Sequence, residues 1–537
     1  MSERVLHGLA VCGGVAVGPA FPLAGAGADP VAEGPDAALA ALGRVAGELG
    51  RTAARLAAQG RETDAEIIEA NRLMAEDPSL RAEVEALARE GSAAAALRAA
   101  TDRQAALLTA LDDPLLAGRA ADVRELGRRA IRALSGDGAA QPPRRPSIVV
   151  APELGPAELV DLRLEEGLVL AIALSEGSAT SHAAIMARSL GVPMVAALGE
   201  DVLTAADGDV LVVDGIAGAI VLHPNPVTLA RSRAAAAEET AEQERLAAGR
   251  HEPSVTALGQ PIRLLANAST RAEVETALQR GAEGVGLVRT ELAFLDASDW
   301  PTEAQHVAAL APMLEPLLDR VVTVRTLDFG ADKTPAFLLG KGGRGIALML
   351  EHEDALEAQL AAIVRAGAET RLRIMLPLVE APEQILAARR LLRAATGSGH
   401  ELPQLGAMIE TPAGARRSTE LALHADFFSI GTNDLVATTL GLDRDQPGAS
   451  PLSAADPAVV ALMRRTIESA HAAGITVEVC GEAAGEPELT SLLIELGVDE
   501  LSVSPARLDA IREAVRRSGE PGDELRQPRN RRGGVVA

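Results

Sequence analysis

A single histidine, His182, stands where a turn of small residues gives way to a helix-forming stretch. Residues 177–181 are Gly-Ser-Ala-Thr-Ser, and residues 183–190 have the composition of a helix. Thr180 or Ser181 is expected to cap this helix, because a hydroxyl at that position accepts a hydrogen bond from the first turn. A helix start is electropositive and presents backbone donors, so an imidazole there can take on negative charge. The alternative is a histidine that simply packs at the start of a helix.

Four arginines further along the chain have the positions of an anion clamp. Arg289 and Arg325 each end an apolar stretch that is typical of a strand. Arg344 and Arg444 lie in loops that could join them. Guanidinium groups grip phosphate and carboxylate oxygens through paired hydrogen bonds, so this set predicts a site for a small anionic substrate. The alternative is structural ion pairing with nearby acidic residues, namely Glu291, Asp328 and Asp332.

Two carboxylates, Glu410 and Asp434, follow adjacent predicted strands. Mg²⁺ typically takes one or two protein carboxylates, with substrate oxygens and water completing its shell. Carboxylates beside phosphate-binding arginines therefore predict a Mg²⁺ site. The alternative is that either carboxylate only neutralises an arginine.

Cys480 also ends an apolar stretch. A thiol with an ordinary pKa of about 8.5 is mostly protonated at neutral pH, so it can donate a proton to a carbanion-like centre. Free cysteines are equally common as small buried hydrophobic residues. Both interpretations stay open from the sequence alone.

The second half of the chain has the pattern of a (β/α)8 TIM-type barrel. Eight predicted strands, each followed by a helical stretch, occupy residues 262–266, 284–288, 321–325, 373–376, 405–409, 426–430, 476–479 and 500–503. Eight such units in roughly 270 residues is the usual length of this fold. Its active sites form at the C-terminal ends of the strands. The polar residues at those ends are Asn267, Arg289, Arg325, Glu410, Asn433, Asp434 and Cys480.

The first half of the chain indicates an α/β domain with an all-helical insert, so we expect a multidomain α/β protein. Strands are predicted near residues 5–20, Ala- and Leu-rich helices over about 35–134, and mixed α/β structure over 147–222. A polar helix over 228–249 is typical of a connector. The Arg/Gly-rich tail is predicted to be disordered.

Charge and cysteine content restrict the class of protein. The net charge of −24 argues against nucleic acid or an anionic membrane as the main partner. Cys12 and Cys480 give no disulfide framework. No long apolar run suggests a signal peptide or membrane span, so we expect a cytoplasmic protein. An acidic run over 62–77 could attract a basic partner, although such runs are usually solvated surface.

These motifs resemble enzyme I of the bacterial sugar phosphotransferase system, the phosphoenolpyruvate–protein phosphotransferases. The similarity runs from about residue 5 to residue 510, and its motifs are residues 119–124, 181–188, 286–291, 325–328, 431–434 and 480–482. The resemblance implies a swivelling α/β phosphohistidine domain made of residues 1–30 and 141–225, followed by a linker helix and a barrel. The other implied segments are a helical subdomain for docking the phosphocarrier HPr over 31–140, the linker helix over 226–251, a phosphoenolpyruvate-binding TIM barrel over 252–520 and a disordered tail over 521–537.

The resemblance also implies a role for each site residue. His182 would accept the phosphoryl group and pass it to HPr, and Cys480 would protonate the enolate to give pyruvate. Glu410 and Asp434 would hold Mg²⁺. The residues that would bind phosphoenolpyruvate are Arg289, Arg325, Arg344, Asn433, Asp434 and Arg444. A homodimer formed through the barrel is implied by the family alone.

Two other functions are compatible with parts of the sequence. Pyruvate phosphate dikinases and phosphoenolpyruvate synthases share the histidine domain and barrel but carry a large nucleotide-binding domain. Here the stretch before His182 is short and helical and has no Gly-rich phosphate loop. A weakly active or regulatory enzyme I paralogue that binds HPr is favoured only by departures from the family pattern at Ser178, Ala347 and Ala437.

Overall fold

The computed structural model describes most of the chain. The described residues are 3–23, 34–58, 62–110, 120–134, 136, 141–177, 181–295, 297–330, 334–339, 342–397, 401–442 and 450–520. Arg444, Thr180 and the tail 521–537 lie outside these ranges. The chain divides into two compact units, and the division falls between Glu242 and Gln243.

The first unit contains an eight-stranded mixed sheet. Its strands are β1 (Arg4–His7), β2 (Leu9–Cys12), β3 (Val15–Pro22), β4 (Ser147–Ala151), β5 (Val169–Leu174), β6 (Met194–Ala196), β7 (Val210–Asp214) and β8 (Ala219–Leu222). They are ordered β1-β8-β7-β3-β4-β5-β6-β2, with β3, β4, β5 and β6 parallel. Each face of the sheet packs against its own apolar cluster. The mixed α/β structure predicted over residues 147–222 is confirmed, with five strands in this stretch.

The helices of the first unit belong to two parts, the all-helical insert and the α/β part. Those of the insert are α1 (Pro35–Ala58), α2 (Glu62–Glu76), α3 (Pro78–Ala88), α4 (Ala93–Thr109) and α5 (Ala120–Leu134). Two short helices, α6 (Pro156–Leu162) and α7 (His182–Leu190), belong to the α/β part. The break between α2 and α3 falls at Asp77, whose carboxylate accepts the N–H groups of Ser79 and Leu80 and so caps α3. Buried leucines of α1, among them Leu42 and Leu49, belong to the core of the insert.

The helix predicted as a connector is present as α8 (Pro226–Ala248). Only Ser232 in it is buried, as expected for a polar helix. The boundary between the two compact units falls within this helix.

The second unit is a closed barrel of eight parallel strands, as the sequence predicted. The strands are β9 (Arg263–Ala268), β10 (Gly284–Val288), β11 (Val321–Arg325), β12 (Arg371–Leu376), β13 (Gln404–Ile409), β14 (Phe427–Ile430), β15 (Thr476–Val479) and β16 (Glu500–Val503). They run in sequence order, and β16 pairs with β9 to close the barrel. Closure leaves no free sheet edge and gathers the eight C-terminal ends at one mouth.

Helices surround this barrel. They are α9 (Arg271–Gln279), α10 (Glu303–Leu314), α11 (Gly345–Glu351), α12 (Glu353–Ala366), α13 (Pro382–Thr396), α14 (Pro412–Arg416), α15 (Ser418–Leu421), α16 (Thr432–Leu440), α17 (Pro457–Ala473), α18 (Pro487–Leu496) and α19 (Leu508–Arg517). A continuous apolar core lies between strands and helices, whereas a small cluster with Met375, Met408 and Phe427 fills part of the interior. In the part of the chain that the structure describes, no helix is long and apolar enough to cross a membrane.

Candidate active site

His182 is the first residue of α7, where the sequence analysis predicted a helix start. The hydroxyl of Ser181 accepts a hydrogen bond from the N–H of Ala184 at 3.3 Å and so caps the helix. Gly177, five residues earlier, has a φ of +107°, a backbone conformation that favours glycine. The local structure therefore presents His182 at the electropositive end of a short helix.

The remaining described candidates lie at the C-terminal ends of the barrel strands. Arg325 is the last residue of β11, and Arg289, Glu410 and Cys480 directly follow β10, β13 and β15. Asn433 and Asp434 lie in the first turn of α16, which follows β14. Because parallel strands of a closed barrel end at one mouth, these residues share that mouth.

Arg325 is almost completely buried and is held by two carboxylates. One guanidinium nitrogen lies 2.5 Å from Glu291 Oε1, and the other lies 3.2 Å from Asp328 Oδ2. Although burial alone would lower the pKa of Arg325, these carboxylates raise it above its ordinary value. The guanidinium therefore carries a fixed positive charge inside the mouth.

Arg344 begins α11 as its N-cap residue and bridges two carboxylates. Its Nε and Nη2 each lie 3.2 Å from an oxygen of Asp328, and Nη2 lies 3.0 Å from Asp434 Oδ2. Asp328 thus links both arginines into one network. The ion pairs that the sequence analysis treated as the alternative to an anion clamp are present, and they hold two of the predicted clamp residues in place.

Glu410 is buried and accepts the backbone N–H of Leu378 at 2.8 Å. Burial raises the pKa of its carboxyl above the ordinary value, and the charges of Asp328 and Asp434 raise it further, against the opposing effect of Arg325. A carboxyl in such surroundings gains from a nearby cation.

Among the residues that the structure describes, four carboxyl groups meet two guanidinium groups in this part of the mouth, so carboxyl groups are in excess there. The four carboxyl groups are those of Glu291, Asp328, Glu410 and Asp434. A divalent ion with oxygen ligands suits this excess, and Glu410 and Asp434 fit the one or two carboxylates that Mg²⁺ usually takes. No set of three or more His, Cys, Asp or Glu side chains within the described ranges forms a complete metal site. The substrate and water would therefore supply the remaining ligands of such an ion.

Arg289 differs from the other two described arginines. Its backbone N–H donates to Ala268 O at 3.0 Å, which fixes the residue at the rim of the mouth. The side chain is half-buried, and its guanidinium forms no hydrogen bond or ion pair with any other residue that the structure describes. This positive charge is available to an anionic ligand.

Cys480 is buried beneath the mouth, with its thiol in contact with a hydroxyl. Ser429 Oγ donates to Cys480 Sγ at 3.0 Å. Burial raises the pKa of the thiol to about 12, against the opposing effect of the hydrogen bond from Ser429. The ordinary pKa assumed in the sequence analysis was therefore too low, and the thiol is held more firmly protonated than expected.

The chain after Cys480 packs tightly against the start of α16. A Cβ on Gly481 would lie 2.0 Å from Thr432 Oγ1, so only glycine fits at this close approach. The N–H of Glu482 donates to Asn433 Oδ1 at 2.8 Å. These contacts tie the predicted Asn433-Asp434 turn to the strand end that carries Cys480.

The sequence analysis placed Arg325, Arg344, Glu410, Asp434 and Cys480 together, and the structure brings them together at one mouth. It missed two residues that organise them. Asp328 was named only as an acidic neighbour, although its spacing of three residues from Arg325 was a signal. Ser429 had no signal, because its contact with the thiol depends on strand register.

Comparison with known proteins identifies the family. The family model for the PEP-binding domain of PEP-utilising enzymes matches residues 243–519. The models for the N-terminal domain and the mobile domain of these enzymes match residues 7–119 and 143–218. Together the three models cover both compact units of the chain.

Curated relatives agree with these matches. The multiphosphoryl transfer protein of Xanthomonas campestris is 40% identical over 78% of this chain and 51% of its own length, so the chain spans about half of that relative. The phosphoenolpyruvate-protein phosphotransferase of Haemophilus influenzae is 33% identical over 85% of this chain and 82% of its own length. The phosphoenolpyruvate-protein phosphotransferase of Streptomyces coelicolor is 37% identical over 95% of this chain and 93% of its own length. The chain therefore belongs to the PEP-utilising enzyme family, within its enzyme I group of phosphoenolpyruvate-protein phosphotransferases.

Proposed function

We propose that this protein transfers the phosphoryl group of phosphoenolpyruvate to its own His182 and then to a histidine of HPr, releasing pyruvate. This reaction would be the first step of sugar uptake by the phosphotransferase system. The observation that carries the proposal is the network at the barrel mouth, in which Asp328 links Arg325 and Arg344 beside Arg289, whose guanidinium has no partner within the described ranges. The cytoplasm as its location and a homodimer formed through the barrel are part of the same proposal.

The mouth supplies what the substrate requires. Phosphoenolpyruvate carries a phosphate and a carboxylate, and guanidinium groups bind both through paired, charge-assisted hydrogen bonds. Arg325 and Arg344 are preorganised by their ion pairs, so they lose little freedom when the substrate binds. Arg289 adds an uncompensated positive charge, and Arg444 would complete the clamp.

The start of α16 would contribute backbone donors. Its first turn contains Asn433 and Asp434, and the N–H groups of a first helical turn have no partner within the helix. Such N–H groups favour anions. Glu410 and Asp434 would hold Mg²⁺, which when bound would neutralise charge on the phosphate and carboxylate oxygens.

In the phosphoryl step, a ring nitrogen of His182 would attack phosphorus while the bond from phosphorus to the enol oxygen breaks. The electron pair of that bond would stay on the enolate. The transition state of phosphoryl transfer is loose, so alignment and charge neutralisation lower its barrier more than covalent help does. The cap by Ser181 places His182 at a helix start, where an added phosphoryl group is stabilised.

The enolate would then take a proton at C3 from Cys480 to give pyruvate. The raised pKa of the thiol keeps it protonated until a strongly basic carbanion-like centre is present. Protonation removes enolpyruvate and so favours phosphorylation of His182. This step gives the buried thiol at a strand end a chemical role.

HPr is proposed as the acceptor from the enzyme I resemblance, with the helical insert α1–α5 as its docking site. Part of the acidic run on α2 is already neutralised, because Arg72 pairs with Glu69 at 2.6 Å and with Glu76 at 2.7 Å. Attraction of a basic partner face would therefore depend on the other acidic residues of this run.

The proposal is tested by incubating the protein with phosphoenolpyruvate labelled in its phosphate and with Mg²⁺. We expect an acid-labile phosphate on the wild-type protein and none on His182→Ala. A matched control is His7→Ala, which removes an exposed histidine of the same unit and should label like wild type. Purified HPr added afterwards should remove the label from the protein.

Two results would contradict the proposal. Label that persists in His182→Ala would show that another residue is the acceptor. Wild-type protein that binds HPr without accepting phosphate from phosphoenolpyruvate would favour the regulatory paralogue instead.

A further inference from the structure

Glu478 is an acidic side chain inside the barrel that the proposed reaction does not use. It lies in β15 and is 1% exposed. Neither carboxyl oxygen forms a hydrogen bond of acceptable geometry with another described residue. A Cβ on Gly286 would lie 2.6 Å from its Oε1, so only glycine at that position leaves room for this carboxyl group. The structure therefore accommodates a buried acid where an apolar side chain would pack.

The surroundings keep this carboxyl protonated. Burial raises the pKa of Glu478 well above its ordinary value, and the carboxylate of Glu500 raises it further. Arg373 opposes this effect, but it is already paired with Glu500 at 2.6 and 3.2 Å. Glu478 thus holds a proton at neutral pH, with the hydroxyl of Ser502 as a close neighbour.

Ser429 is a neighbour of this acid in the sheet, and its hydroxyl contacts the thiol of Cys480. Glu478 is the register partner of Ser429 on β14. Register partners on neighbouring parallel strands point to the same face and lie about 4.8 Å apart. Ser429 Oγ in turn donates to Cys480 Sγ at 3.0 Å.

We propose that Glu478 supplies, through the Ser429 hydroxyl, the proton that restores the Cys480 thiol after each protonation of enolpyruvate. The inference rests on the proposed function. The Sγ–H bond of Cys480 breaks as a C–H bond forms at C3 of enolpyruvate. The resulting thiolate takes the hydroxyl proton of Ser429, Ser429 takes the carboxyl proton of Glu478, and the carboxylate regains a proton from water.

The direction of this transfer follows from the charges around the thiol. Burial is the largest effect that raises the pKa of Cys480 to about 12, and the hydrogen bond from Ser429 and the charge of Arg325 oppose it. The thiolate is therefore a strong base in this site. It draws a proton from the nearby acid in preference to staying charged.

Solvent reaches the other end of β15. A cavity of about 650 Å³ lies at the N-terminal end of the barrel strands, and Thr476 and Glu500 are among its lining residues. Thr476 is exposed and precedes Glu478 by two residues on the same strand. Glu478 is thus placed to regain its proton from water at the end of the barrel opposite to the substrate.

The test measures the exchange of hydrogen and of carbon between pyruvate and its surroundings in one reaction, to which no HPr is added. The full-length protein is incubated in D₂O with Mg²⁺, phosphoenolpyruvate and carbon-labelled pyruvate. Passage of labelled carbon into phosphoenolpyruvate reports reversible phosphoryl transfer. Deuterium in the pyruvate methyl group reports how often the thiol exchanges its proton before the reaction reverses. The passage of labelled carbon into phosphoenolpyruvate is called carbon crossing below. The readout is the ratio of deuterium gained in the pyruvate methyl group to carbon crossing.

We expect Glu478→Gln to keep carbon crossing within about twofold of wild type and to lower deuterium per crossing by about tenfold or more. Ser429→Ala should lower the same ratio, because it removes the connecting hydroxyl. Glu478→Asp retains an acid and should raise the ratio back towards wild type. The matched control is Ser418→Ala, which removes another buried serine hydroxyl of the same unit, one that lies on a surrounding helix and donates to Ser469 Oγ at 2.9 Å.

An unchanged ratio in Glu478→Gln and Ser429→Ala, with carbon crossing intact, would overturn the relay and leave the proposed function standing. A parallel fall of carbon crossing and of deuterium gain in Glu478→Gln would also overturn the relay, because a residue with a purely structural role would lower both. No carbon crossing in wild type would instead refute the proposed function and the relay with it. If Glu478→Gln does not fold, the comparison of Ser429→Ala with Ser418→Ala decides the outcome.

Discussion

Two buried networks of charge in this molecule are built from the same residue types and differ in how completely they are paired. One is the barrel mouth. The other joins α5 to α6 in the first unit, and its members are Glu125, Arg128, Arg129, Arg132, Glu158 and Asp161. In this helix seam Arg129 lies 2.7 Å from Asp161, and Glu158 lies 3.1 Å from Arg128 and 3.0 Å from Arg132.

The comparison shows that a shifted pKa does not by itself identify an active site. Burial and the charge of Glu158 raise the pKa of Glu125 in the helix seam, just as burial and Asp328 raise that of Glu410 at the mouth. The seam gives each of its arginines a carboxylate partner. Among the described residues, carboxyl groups outnumber guanidinium groups at the mouth, and Arg289 has no carboxylate partner. Incomplete pairing at strand ends, rather than burial, is what indicates ligand binding.

The largest effect is expected from breaking the helix seam. Arg129→Met should lower the free energy of unfolding of the first unit by about 3–5 kcal/mol, because it removes the cation from a buried pair. Circular dichroism should detect an earlier transition. The fluorescence of Trp300, the only tryptophan, reports on the barrel and should not shift. Equal shifts of both signals would contradict the view that the seam stabilises its own unit.

At the mouth the corresponding change should affect function and not stability. Arg289→Ala should lower kcat/KM for phosphoenolpyruvate by about 10²–10³, because a donor to the substrate oxygens is lost. The melting temperature should stay close to that of wild type, since the guanidinium has no partner among the described residues. Arg390→Ala is the control, because it removes an exposed arginine paired only with Glu353. A marked loss of stability without loss of activity would mean that Arg289 is structural.

Much of this architecture follows from hydrophobic periodicity. Four of the eight barrel strands, 284–288, 321–325, 476–479 and 500–503, have the bounds that the sequence predicted. The change from apolar to polar residues marks the end of each strand in the sequence. Closure of the barrel alone then brings those ends together at one mouth. The mouth was therefore predictable as a set of residues.

The interior of the barrel was not predictable in the same way. The segment Thr476–Val479 alternates polar and apolar residues, which is typical of a strand with one solvent-facing side. In a closed barrel that side faces the interior, so Glu478 is buried instead of solvated. Contacts such as that of Ser429 with Cys480 depend on register between strands that are far apart in sequence.

A single buried histidine, His306, shows how burial shifts a pKa where no network of charged partners is present in the described part of the chain. His306 lies in α10 against Phe294, and neither ring nitrogen has a hydrogen-bond partner in the described residues. Burial lowers the pKa of His306 to about 4. The unfolded chain, with an ordinary value of about 6.5, binds the proton more readily between these pH values.

Stability from this source is therefore full above about pH 6.5 and is lost as pH falls towards 4, by on the order of 3 kcal/mol. We expect His306→Leu to flatten this part of the pH dependence when barrel unfolding is followed by Trp300 fluorescence. The control His251→Ala removes an exposed histidine of the same unit and should leave the slope unchanged. An unchanged slope in His306→Leu would assign the acid sensitivity to other groups.

The smallest effect is expected where the helix seam contains a carboxyl that is already neutral. Because the pKa of Glu125 is raised, the folded state keeps its proton at pH values where the unfolded chain has lost it. Its contribution to stability is full below the ordinary carboxyl pKa and declines as pH rises towards the folded pKa. Glu125→Gln should change the free energy of unfolding by less than about 1 kcal/mol at pH 6, because Gln can still accept the N–H of Glu158.

Glu158→Gln is the matched comparison within the same seam. Although burial opposes it, pairing with Arg128 and Arg132 lowers the pKa of Glu158, so this neighbour is ionised. Replacing it should cost about 3 kcal/mol or more at the same pH, because two buried guanidinium groups lose their shared partner. Chemical denaturation of both variants at pH 6 and pH 8 tests the contrast. Equal costs at pH 6 would mean that both carboxyls are ionised at that pH, which would contradict the raised pKa of Glu125.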